Sequence, residues 1–198
     1  KDMVIMDVGA NIGLASLYFK DYAKVIYAIE PNPQNYECLV ENVKLYPHIK
    51  TFNTGLVARS GTEYLKNRNG YPIAESFFED GEVSTAVDCL SIEDFMTQNK
   101  IDHVDLMKFD TEGAEYIVFP SEAFTKMAPR IDYIIGESHY EGRLIPDYIP
   151  YILKDSGYDT EFLPINNMFL TLDFAEIKEK HYKVKKQTLF FSKRKEFK

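Results

Sequence analysis

The sequence predicts an α/β fold built on a parallel sheet, and three observations predict it. Apolar runs of strand length alternate with stretches of helical spacing through the first half of the 198 residues. The first run ends in a glycine-containing loop that opens straight into a helical stretch. Polar and mostly acidic residues close the successive runs, the rim where open α/β sheets bind ligands.

Taken in order, residues 4–8 form the first strand, and residues 12–22 a helix with Leu14, Leu17 and Tyr18 on one face. A second strand, 25–29, leads to Asn32 as an N-cap with Pro33 at the first helical position. Tyr36, Leu39, Val40 and Val43 then give that helix an apolar stripe, and 49–53 is the third strand. Residues 61–65 read as a short strand and 67–81 as a loop. Within this stretch Tyr64, Tyr71, Phe77 and Phe78 form either a lid over a ligand or ordinary core. Strand 83–89 precedes a helix capped by Ser91, which carries Ile92, Phe95 and Met96, with Asp94 completing a capping box. Residues 104–109 and 131–136 are buried strands. A helix near 147–156 stops at Gly157, with Pro150 distorting it or delaying its start. Strands at 160–163 and 188–192 complete the chain.

Composition is that of a soluble globular protein, 45% apolar and 27% charged, of a size for one domain over residues 1–198. No apolar run approaches the ~20 residues that span a bilayer. Two cysteines, Cys38 and Cys89, lie far apart in no metal-like spacing, which points to a reducing compartment and the cytoplasm. A net charge of −8 argues against a nucleic-acid partner. Residues 176–198 nevertheless carry nine Lys or Arg against three Glu, either a solvated terminus or a contact for something anionic. The first strand begins almost at Lys1, as in a domain lacking an upstream segment. Oligomeric state leaves no mark in the sequence.

The loop Gly9-Ala10-Asn11-Ile12-Gly13 has Asn11 where the dinucleotide fingerprint needs a middle glycine beside the pyrophosphate. Asp7, at the strand tip, suits a ligand bearing an ammonium group instead. Glu30 closes the second strand, where a ribose has its hydroxyls bound. The combination points to S-adenosylmethionine, which has an ammonium and a sulfonium but no phosphate. Three alternatives stay open: a loop that merely turns the chain, a nicotinamide oxidoreductase, and a cofactor-binding module without catalysis of its own.

Three segments carry a family resemblance. Asp7-Val8-Gly9-Ala10-Asn11-Ile12-Gly13, Glu30-Pro31-Asn32-Pro33 and Lys108-Phe109-Asp110-Thr111-Glu112-Gly113-Ala114-Glu115 resemble, in order and spacing, the signatures of FkbM-type methyltransferases. The resemblance extends over about residues 4–192 and is loosest between 61 and 83. It implies a Rossmann-like class I methyltransferase fold, with a seven-stranded mostly parallel sheet, helices on both faces and an antiparallel last strand. It implies S-adenosylmethionine as cofactor and O-methylation of a small-molecule or sugar hydroxyl. By the same resemblance Asp7, Gly9, Asn11, Ile12 and Gly13 hold the methionine part and Glu30 the ribose. Asn32, Asn53 and Leu56 lie near the adenosine, and Asp110 and Glu112 face the methyl group and its acceptor.

An alcohol keeps its proton at neutral pH, so a general base beside it contributes roughly 10²–10⁴-fold. His139 is the preferred base, since it follows a strand end and an unperturbed histidine titrates near ~6.5. Glu112, Asp110 and Glu137 compete, because crowded acids raise one another's pKa. Each has a plainer role open to it: Asp110 as a helix cap, Glu112 and Glu115 as first-turn charges, His139 as a loop histidine. Lys108, inside an apolar strand, either pairs with a rim acid or contacts substrate. Asp110, Glu137 and His139 could gather metal ligands, but no ligand-spacing motif supports this and no metal is expected.

Overall fold

The structure, a computed structural model, describes residues 2–68, 71–76, 83–139, 148–164 and 187–195. The first half runs β1 (Met3–Val8), α1 (Leu14–Phe19), β2 (Ala23–Ile29), α2 (Pro33–Val43), β3 (Ile49–Phe52), β4 (Gly55–Val57), β5 (Gly61–Arg68) and β6 (Tyr71–Ser76). Then come β7 (Val83–Ser91), α3 (Ile92–Gln98), β8 (Val104–Phe109), α4 (Glu115–Val118), α5 (Glu122–Met127), β9 (Ile131–His139), α6 (Tyr148–Asp155), β10 (Tyr158–Pro164) and β11 (Gln187–Arg194).

Seven strands form the main sheet in the order β10-β11-β9-β8-β1-β2-β3. The run from β9 to β3 is parallel, and β11 is antiparallel to both of its neighbours. The predicted Rossmann-like sheet with its antiparallel last strand is present. A parallel sheet must be covered on both faces, and the alternation of β1 does this. Ile5 packs with Leu39 and Val43 of α2, while Met6 and Val8 join the larger core with Phe95, Phe124 and Leu153. Asp7 shares the face of Ile5, pointing toward the α1 layer rather than the rim.

Several elements differ from expectation for identifiable reasons. Helix α1 is shorter than 12–22, because Asn11 and Gly13 take left-handed backbone at its start. Its Leu14 and Tyr18 are exposed, and the residue it buries is Ser16, whose hydroxyl donates to Asp7 Oδ2 at 2.7 Å. The expected loop at 67–81 contains strand: β5 continues to Arg68 and pairs antiparallel with β6. Phe77, Phe78 and Gly81 lie outside the described residues. Tyr64 is half exposed and is not core. Both β4 and α5 are additional; α5 buries only Ala123 and Phe124, too few to show a period.

Helix α3 is capped as predicted on one side, with Ser91 Oγ accepting from the Asp94 N–H at 3.0 Å. The reciprocal half of the box comes from elsewhere. The Ser91 N–H donates to Ser60 Oγ, and Ser60 in turn donates to Asp94. Pro150 sits in the first turn of α6, where its missing N–H costs nothing, and Gly157 ends that region at φ 93°. Of the basic terminus, 187–194 is strand: Arg194 pairs with Asp132 at 2.7 Å and Lys195 with Asp159 at 3.1 Å. No helix among the described residues is long and apolar enough to cross a membrane.

Candidate active site

The adjacent strands β8, β1 and β2 turn their carboxyl ends to one rim, and with β4 they wall a cavity of about 480 Å³. That is the scale of a small-molecule site. The loop after β1 supplies Gly9, Asn11 and Ile12 to the wall; β2 supplies Glu30 and then Asn32; β4 supplies Leu56; β8 supplies Asp110 and then Glu112.

The loop is not a phosphate cradle. Gly9 and Ala10 N–H both donate to Ile29 O, at 3.0 and 2.9 Å, and Gly13 N–H donates to Ala10 O at 2.8 Å. Asn11, left-handed at φ 51°, donates its N–H to Glu30 Oε2 at 2.8 Å. These four donors are engaged within the protein, and Asn11 occupies the place of the middle glycine that a pyrophosphate requires. The glycines also serve packing rather than ligand clearance. A Cβ on Gly9 would lie 1.8 Å from the Asp110 carbonyl oxygen, and one on Gly13 would lie 2.8 Å from Leu39.

Glu30 is buried, and its second oxygen accepts from the Asn32 N–H at 2.9 Å. Burial pushes its carboxyl above the usual range, and the N–H groups of Asn32 and Asn11 pull partly the other way. The Asn35 side chain also hydrogen-bonds this carboxylate, whose remaining acceptor capacity is what a ribose hydroxyl requires. Asn32 caps α2 by accepting from the Gln34 and Asn35 N–H groups at 2.8 and 3.0 Å. Asn53 stands off the wall and braces it, donating to the carbonyls of Glu30 and Pro31 at 2.9 and 3.1 Å.

Asp7 does not face the cavity. It is fully buried, and Lys108 stands beside it, with Nζ 3.3 Å from Asp7 Oδ1, 3.5 Å from Asp110 Oδ2 and 2.7 Å from Gly9 O. The register explains this, since Lys108 is the β8 partner of Asp7. Burial lowers the Lys108 pKa, but the charges of Asp7 and Asp110 outweigh it and the ammonium is held above its ordinary value. Lys108 thus realises the ion-pair alternative while also lining the cavity.

After β8 the chain is strained. Glu112, a non-glycine residue, has φ 54°, and this left-handed backbone sets it on the cavity wall ahead of Gly113 at φ 114°. Asp110 caps nothing, because α4 begins only at Glu115 behind Ala114. Glu115 is no surface charge either: it is fully buried and accepts from Thr111 N–H at 2.9 Å and Oγ1 at 3.1 Å.

His139 is not a loop residue but the last residue of β9, buried behind the wall. Its Nδ1 lies 3.2 Å from Glu115 Oε1, and its Nε2 lies 3.6 Å from Asp110 and 3.6 Å from Glu112. Burial lowers its pKa, but the hydrogen bond and charge of Glu115, then Glu112 and Asp110, raise it to about 9. The expected value near ~6.5 is therefore corrected: the ring is a cation at neutral pH and holds the proton a base would have to accept. Glu137, half-buried in β9, is raised by burial, against which His139 acts. Sequence reasoning missed Asn35 on the wall; it carries no charge and no motif position that would mark it.

A profile of the Methyltransferase FkbM domain matches residues 7–160. This chain belongs to the FkbM methyltransferase family. It is 26% identical over 169 residues to hexuronic acid methyltransferase AglP of Haloferax volcanii, covering 84% of this chain and 67% of AglP. The FkbM methyltransferase structure from Methylobacillus flagellatus superposes with a TM-score of 0.64 at 15% identity, over 96% of this chain but only 43% of that one. SMU.1697c of Streptococcus mutans, solved with S-adenosylhomocysteine (SAH), gives 0.56 at 13% identity, over 98% and 90%. At these identities the two structures speak for the fold. S-adenosylmethionine is the cofactor of this methyltransferase, and the cavity fits it in volume and in the carboxylate of Glu30 on its wall.

Proposed function

We propose that this FkbM methyltransferase acts on a hydroxyl group of a small molecule or sugar. The observation that carries the proposal is the carboxylate of Glu112, held on the cavity wall by left-handed backbone beside Asp110. An oxygen nucleophile needs a proton acceptor at that point, and His139 behind the wall already has its proton. When bound, the cofactor supplies a methyl group on a sulfonium. Glu30 would accept from the ribose hydroxyls, Asn11, Ile12 and the Gly9 turn would border the methionine part, and Leu56 and Asn32 the adenosine. The name of AglP, a hexuronic acid methyltransferase, supports a sugar acid as acceptor. The net charge of −8 supports a small acceptor over a nucleic acid.

Glu30→Gln is expected to weaken SAH binding by about 10- to 100-fold, the size of one charge-assisted hydrogen bond of ~1.5–3 kcal/mol. Titration calorimetry reads this, and unchanged affinity would remove Glu30 from the ribose site. The acceptor is tested by mass spectrometry of hexuronic acids and hexoses incubated with the enzyme and S-adenosylmethionine. Glu112→Gln is expected to lower kcat by roughly 10²–10⁴-fold while SAH affinity holds. A folded chain that binds SAH but methylates no hydroxylated compound would instead favour a cofactor-binding module.

A further inference from the structure

Three carboxylates crowd one edge of a buried imidazole. Asp110 and Glu112 approach His139 Nε2 to 3.6 Å each, and Glu137 to 4.0 Å. His139 is only 6% exposed, and its Nε2 has no hydrogen-bond partner among the described residues. The opposite nitrogen is engaged, with Nδ1 at 3.2 Å from Glu115, itself anchored by two bonds from Thr111. An Nδ1–H donating to Glu115 aims Nε2 at the three acids. This is how a metal-bound histidine is oriented, by a carboxylate on its far nitrogen.

Three anions around Nε2 call for positive charge between them; without an ion the ring supplies it as the imidazolium, and a metal ion would take the place of that proton. A proton on Nε2 brings charge, but the nearest oxygens stand beyond hydrogen-bond reach. A larger cation fits the gap. Ligands about 2.1 Å from one ion lie about 3.0 Å apart when cis and about 4.2 Å when trans. One ligand atom each from Asp110, Glu137 and His139 can be chosen with all three within 4.8 Å of one another. Small rotations of the two partly exposed carboxylates close that set.

We propose that Asp110, Glu137 and His139 form a divalent-cation site, with Glu115 orienting the imidazole from behind. Two carboxylates and one imidazole suit Mn²⁺, with Mg²⁺ as the harder alternative. Asp110 also walls the cavity, so the open positions of the ion face the acceptor end. An acceptor offering two adjacent oxygens, as a hydroxy acid or vicinal diol does, would complete the shell; this last step rests on the proposed hydroxyl acceptor. The exposed group His103, Asp105 and Asp132 offers a contrast, because His103 Nε2 is already satisfied by Asp132 at 3.0 Å.

Mn²⁺ alone, titrated into chelator-stripped protein and followed by electron paramagnetic resonance of the free ion, is expected to fill this site without cofactor. His139→Asn and Glu137→Gln should each weaken uptake at least about tenfold, and His103→Asn should leave it unchanged. No Mn²⁺ uptake by the folded chain at millimolar ion, or uptake that both site variants leave intact, overturns the proposal. Two variants guard against one that fails to fold. SAH titrated into the same sample separates the questions: SAH binding without Mn²⁺ binding removes the metal site alone. Mn²⁺ binding without SAH binding leaves the site standing and removes the methyltransferase assignment of the cavity.

Discussion

Lys108→Met is expected to destabilise the protein by about 3 kcal/mol or more, the cost of leaving one partner of a buried pair uncompensated. Asp7 is fully buried at the centre of the sheet, and Ser16 satisfies only its Oδ2. Its Oδ1 has no hydrogen-bond partner among the described residues and depends on the Lys108 ammonium at 3.3 Å. Lys108 does more than neutralise: it donates to the Gly9 carbonyl and reaches Asp110, tying the β1 and β8 ends together under the cavity floor. Methionine keeps most of the volume, so the loss reports charge rather than packing. Urea denaturation of wild type, Lys108→Met, Asp7→Asn and the double variant closes the cycle. The double variant should recover at least half of the loss, because a neutral amide no longer needs the ammonium. A Lys108→Met midpoint equal to wild type would show that water or Ser16 suffices for Asp7.

The sheet was legible because its signals are local. The apolar run of β8 predicted Val104–Phe109 to the residue, and Asn32-Pro33 and Ser91 marked helix starts that the structure keeps. The rim was legible as a list of strand ends, and Glu30, Asp110 and Glu112 do gather there. What failed were statements about direction. Asp7 was expected to face the ligand, yet its face follows from period 2 along β1, which places it with Ile5 against α1. His139 was expected just past a strand end, as a base or as a loop histidine; continued pairing with β11 carries it inside, among acids that hold its proton. Neither pairing length nor register is written in residues 137–139. The hairpin of β5 and β6 was hidden for a different reason, since residues 67–76 mix polar and apolar side chains with little period-2 alternation.

Gly9→Ala tests the closest approach in the site. Gly9 has φ 76°, and an added Cβ would lie 1.8 Å from the backbone oxygen of Asp110 and 2.8 Å from its carbon. Those neighbours are backbone, so no side chain can swing away. The methyl must drive the ends of β1 and β8 apart, against the Asp110 N–H bond to Val8 O at 3.1 Å and the Lys108 clamp. Left-handed strain and overpacking together are expected to cost about 3 kcal/mol, which for a chain of this length lowers Tm by roughly 6–12 °C. The cavity should suffer out of proportion to stability, because Gly9, Asp110 and the Asn11–Glu30 contact share the displaced segment. SAH affinity measured well below Tm is therefore expected to fall at least tenfold even where the fold persists. Equal affinity with lowered Tm would mean that the cofactor does not depend on the spacing between these two strand ends, and the cavity assigned to it would have to be sought elsewhere on the sheet.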